Sequence, residues 1–63
     1  MKKIINIILV LLMIVIFYYR DGSDRRIDNV TEIMISYPES TVITNNSIIK
    51  INMENIYKWD VIN

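Results

Sequence analysis

Asp21-Gly22-Ser23-Asp24 places two carboxylates and a hydroxyl around the single glycine of the chain, a composition found in calcium-binding loops. The alternating oxygen ligands and the distal bidentate glutamate of such a loop do not follow, so the segment reads as a solvated linker and no metal site is expected. Ser36, Ser40 and Ser47 could serve as nucleophiles only beside a general base, and the chain has no histidine. It also has no cysteine, which removes disulfides and thiolate chemistry. The remaining carboxylates are scattered along the chain with no evident pairing. These features predict a protein that is not an enzyme and carries no cofactor.

Two sequons, Asn29-Val30-Thr31 and Asn45-Asn46-Ser47, match the glycosylation pattern, which matters only in a eukaryotic secretory host. Arg25-Arg26 could touch anionic lipid at about 1 kcal/mol per residue, but the neighbouring aspartates offset that attraction. The pair also follows the apolar run, so it is no twin-arginine export signal. Tyr57 and Trp59 are the most partner-like side chains, because aromatic residues of this kind anchor interfaces.

The element that dominates the pattern is apolar. Ile4 to Tyr19 contains one polar side chain, Asn6, and the stretch Ile7 to Phe17 contains none. Lys2 and Lys3 precede it, Tyr18 and Tyr19 close it, and Arg20 follows, the order of a cationic flank, an apolar span and an interfacial aromatic belt. The fold predicted on this basis is a single-pass transmembrane α-helix over about residues 4–20, followed by a short β-rich tail. Lys2, Lys3, Tyr18, Tyr19 and Arg20 are then the membrane-interface residues, and membrane lipid is a partner. Sixteen helical residues reach only about 24 Å of the roughly 30 Å hydrocarbon core, a deficit that snorkelling lysine and arginine stems can cover. A cleaved signal peptide is the competing reading. The bulky and charged residues after the run, with no alanine anywhere, offer no small-residue cleavage site and favour an uncleaved signal anchor. Basic residues are nearly balanced across the span, and the short basic head tips the expectation towards a cytoplasmic N-terminus and an extracytoplasmic tail.

The domain plan that follows is a basic head at 1–3, an anchor at 4–19, a polar linker at 20–29 and a β-rich tail at 30–63. The formal charge is zero, with Lys2, Lys3, Arg20, Arg25 and Arg26 outnumbering acids before residue 27 and acids outnumbering Lys50 and Lys58 after it. A mildly acidic tail argues against nucleic acid as a partner. The bias towards Ile, Asn, Lys and Tyr suggests AT-rich coding and a bacterial, phage or plasmid source.

Within the tail, Ile33, Ile35 and Tyr37 alternate with Glu32, Met34 and Ser36 and predict a strand over Val30 to Tyr37, ended by a turn at Pro38-Glu39-Ser40. Thr41 to Thr44 is a second strand candidate, and Asn45-Asn46 suits a tight hairpin. From Ile48, alternation of Ile49, Ile51 and Met53 favours strand over a helix within 48–58 capped by Ser47. For residues 27–63 the entropy cost of about 55 kcal/mol nearly cancels the roughly 52 kcal/mol from apolar burial. The tail therefore calls for a protein partner or self-association, and Ile33, Ile35, Tyr57 and Trp59 are the candidate partner-binding residues. Three functions fit: a non-enzymatic accessory or regulatory partner of a larger membrane or envelope protein, a membrane-active toxin or holin-like peptide, and a small secreted protein.

Overall fold

Ile14, Val15 and Ile16 are β-branched and Phe17, Tyr18 and Tyr19 are aromatic, the side chains that pack best on a pleated surface. In the computed structural model, which describes residues 12–63, they form strand β1, Met13–Tyr19. Four more strands follow: β2, Asp24–Met34; β3, Glu39–Thr44; β4, Ile48–Asn52; and β5, Ile56–Ile62. They build one antiparallel sheet in the order β4-β3-β2-β1-β5, so the chain runs as a meander from β1 to β4 and β5 then returns to pair with β1.

The long strand β2 belongs to both halves of the sheet. Its first part pairs with β1, placing Ile27 opposite Val15, and its second part pairs with β3, placing Ile33 opposite Val42. Between them the register slips on both sides, and Asn29 takes a left-handed φ of 57°. Bulges of this kind bend a strand and increase its twist. The bend brings the inner faces of the two halves together, so that a single sheet encloses its own core. Val15, Phe17, Ile27, Val30, Val42, Ile51, Met53 and Ile56 are buried there, with residues from all five strands contributing. Met13, Tyr19, Ile33, Ile35, Ile49 and Trp59 pack around that cluster.

The turns are held by side chains as well as backbone. Asp21 accepts hydrogen bonds from the Ser23 backbone N–H at 2.9 Å and from its hydroxyl at 2.6 Å, while Gly22 supplies the φ of 95° that the β1–β2 turn needs. Ser40 is the one buried polar side chain among the described residues. Its hydroxyl accepts from the Ser36 N–H at 3.0 Å and donates to the Ser36 carbonyl at 3.1 Å, clamping the β2–β3 connection that contains the cis Tyr37–Pro38 peptide. Thr44 N–H donates to the Ser47 carbonyl at 2.9 Å and closes the β3–β4 hairpin over Asn45-Asn46.

These elements correct the expected architecture. The described residues contain no helix, and none that is long and apolar enough to cross a membrane. The stretch Met13–Tyr19, the second half of the expected transmembrane helix over 4–20, is instead an interior strand bonded to β2 and β5. Residues 4–11 of that expectation lie outside the described residues. A helix over 13–19 would withdraw Val15 and Phe17 from the core and leave β2 and β5 without the neighbour that satisfies their backbone groups. The reading as a single-pass signal anchor, with a cytoplasmic N-terminus and an extracytoplasmic tail, is overturned on the same ground. The polar stretch 20–29 is also divided, since the turn ends at Ser23 and Asp24 already belongs to β2. The segment Ile48–Asn52 is strand β4, and the helical alternative within 48–58 does not form.

Candidate interaction surface

The antiparallel register decides which side chains meet on the outside of the sheet. Even-numbered residues of β1 point away from the core, and β5 places Ile62 opposite Ile14, Asp60 opposite Ile16 and Lys58 opposite Tyr18. The Tyr18 hydroxyl donates to Asp60 Oδ2 at 3.0 Å, and Lys58 Nζ lies 4.8 Å from the centre of the Tyr18 ring, a cation–π distance. The hydrogen bond to Asp60 raises the Tyr18 pKa above its ordinary 10.0, with desolvation and the charges of Asp60 and Asp24 acting in the same direction. Asp21 moves the other way, its carboxyl held below the ordinary 3.8 by the hydroxyl and N–H of Ser23. That carboxylate is thus committed to its own turn. On β2, Arg26 Nε and Asp28 Oδ1 pair at 2.9 Å, an exposed contact of small energetic weight.

The expected membrane-interface residues divide. Lys2 and Lys3 lie outside the described residues. Tyr18 and Tyr19 are half-buried on opposite faces of β1, Tyr19 against the core and Tyr18 in the cluster with Asp60 and Lys58. Arg20 is exposed in the turn, where its N–H donates to the Asn55 carbonyl at 2.9 Å.

The four expected partner-binding residues are not brought together as one surface. Ile33 and Ile35 are half-buried and pack against the core at the β2 end. Tyr57 and Trp59 are on β5, the far edge of the sheet, with Tyr57 exposed and Trp59 half-buried opposite Phe17. Tyr57 is displaced by a register shift between Tyr18 and Tyr19, so simple alternation of Tyr57, Trp59 and Val61 does not hold through it.

Sequence reasoning missed the outer face of β1. Leu12 is exposed, Ile14 and Ile16 are half-exposed, and exposed Ile62 of β5 lies beside Ile14. The signal was present as an apolar run whose even positions are as hydrophobic as its odd ones. Of the two sheet edges, β4 is five residues long with exposed Lys50 at its centre, whereas β5 is seven residues long and carries exposed Tyr57, Val61 and Ile62.

Concave features are shallow. A cleft of about 480 Å³ is lined by Tyr37, Pro38, Asn52 and Glu54, and another of about 410 Å³ by Tyr19, Arg20, Asp21 and Asn55. Neither lining contains a serine, threonine or lysine. Among the described residues no three acidic side chains converge as metal ligands. No family model, curated protein or solved structure matches the chain.

Proposed function

We propose that the chain is a non-enzymatic protein-binding module that recruits its partner through the open edge of β5. One observation carries this reading: β5 is a full-length edge strand, hydrogen-bonded only to β1, whose exposed side chains include Tyr57, Val61 and Ile62. An edge strand offers a row of N–H and C=O groups to an incoming strand, and apolar side chains beside it add burial to those backbone bonds. The apolar outer positions of β1 extend the surface next to Ile62. Charged residues commonly blunt such an edge, as Lys50 does on β4; β5 carries exposed Lys58 and Asp60 but keeps exposed Tyr57, Val61 and Ile62 beside them.

Site-specific photocrosslinking in the host cell tests the assignment. A photoreactive phenylalanine replacing Tyr57 should give discrete protein adducts, and the same probe replacing Tyr37, a more exposed tyrosine at the β2–β3 turn, should not. Adducts from position 37 alone would move the binding surface from the β5 edge to the β2–β3 turn and overturn the reading.

A further inference from the structure

β5 also carries a pattern that selects its occupant. Two copies of a strand pairing antiparallel about a twofold axis form an isologous contact in which residue i meets residue j and j meets i. Only registers that keep inner residues opposite inner residues continue the sheet. Trp59 and Val61 share the inner face with Phe17 and Val15, and Lys58 and Asp60 share the outer face with Tyr18 and Ile16. A twofold axis at Lys58 would oppose lysine to lysine, and one at Asp60 would oppose aspartate to aspartate. An axis at Trp59 places Lys58 opposite the second copy's Asp60, Asp60 opposite the second copy's Lys58, and Trp59 against its own counterpart. Exposed Val61 then lies towards the second copy's exposed Tyr57. Axes further along the strand shorten the pairing.

From this complementarity we infer that the occupant of the β5 edge is a second copy of the chain, joined antiparallel in the register centred on Trp59 so that the two five-stranded sheets become one continuous sheet. Opposite charges directly across a strand pair are attractive and like charges repel, so the same two residues that admit this register penalise its neighbours. Lys58 and Asp60 are already fixed on the outer face by Tyr18, through the ring contact at 4.8 Å and the hydrogen bond at 3.0 Å. These contacts lie on the β1 side of β5, so association would turn the two charged groups from Tyr18 towards the free edge. The equivalent self-pairing of β4 would place Lys50 against Lys50 and is disfavoured.

Self-pairing rests on the β5 edge being the binding surface, and the test separates the two. Sedimentation velocity of the full chain should show a reversible dimer. Lys58→Glu and Asp60→Lys, each of which sets like charges across the interface, should each weaken it at least about tenfold. An equimolar mixture of the two variants should recover the dimer. In the mixed pair the glutamate introduced at position 58 of one chain faces the lysine introduced at position 60 of the other, while the unchanged Asp60 faces the unchanged Lys58. A loss of folding cannot produce that recovery. As a measurement independent of variants, the β5 amides that point away from β1 should exchange more slowly as wild-type concentration rises. A wild-type chain that stays monomeric, with β5 amides indifferent to concentration, overturns the self-association. Should Tyr57 still crosslink to other proteins in that case, the edge keeps its role and only the identity of the occupant is wrong; if it does not, both fail.

Discussion

The Tyr18 hydroxyl links the two strands that the apolar run and the C-terminal segment contribute, and its protonation state is tied to that link. Asp60 accepts a hydrogen bond from the phenol at 3.0 Å and raises the Tyr18 pKa above 10.0 in the folded chain. A group whose pKa is higher folded than unfolded stabilises the fold below the unfolded value and loses that contribution as pH rises through the folded one. Thermal midpoints of the wild type and Tyr18→Phe should therefore differ in favour of the wild type at about pH 8 and converge as the phenol ionises above about pH 10. A gap that persists unchanged beyond the ionisation would show that the hydroxyl is not donating to Asp60. Buried Ser40 illustrates a different role for a polar residue. With no histidine in the chain its hydroxyl has no activating base, and both of its hydrogen bonds go to the backbone of Ser36.

At the scale of the element, β2 is the strand on which the fold turns. Asn29 adopts φ of 57°, a region that costs a β-branched residue about 1–2 kcal/mol and glycine nothing comparable. Asn29→Gly should hold the denaturation midpoint close to wild type, while Asn29→Val should lose about 1–2 kcal/mol of unfolding free energy. Equal behaviour of the two would mean that the bulge is absent in solution. Some of the neighbouring structure was legible in the sequence: Asn45-Asn46 does lie between two strands, and the alternation of Ile49, Ile51 and Met53 does follow one face. The strand expected over Val30 to Tyr37 ends at Met34, with its start extended back to Asp24, because pairing with β1 recruits a polar stretch that has no apolar periodicity of its own.

The whole molecule explains why the apolar run resembles a membrane helix in sequence. A strand lying between two others, with core on one face and apolar residues on the other, shows no alternation and reads as a continuous hydrophobic segment. Val15 and Phe17 face the core while Ile14 and Ile16 face outward, so the period of two is erased where it would have been most informative. The uninterrupted length of the run suggests a helix, and its β-branched and aromatic content, the competing signal, favours a strand. The candidate surface was partly legible for a related reason. Tyr57 and Trp59 stand out by residue type, but only the strand order shows that β5 is an edge, and only the register places Lys58 and Asp60 opposite Tyr18 and Ile16 on its outer face. Ile33 and Ile35, equally prominent in sequence, pack against the core.

The position of Met13–Tyr19 between β2 and β5 is what the core, the outer apolar stripe and the β5 edge all depend on. Residue-resolved NMR of the full chain tests it most directly. Nuclear Overhauser contacts should connect the backbone of Ile16 to both Arg26 and Asp60, its partners on β2 and β5. Contacts from residue i to i+3 running through Met13–Tyr19, with no cross-strand contacts to β2 or β5, would establish a helix there and contradict the sheet.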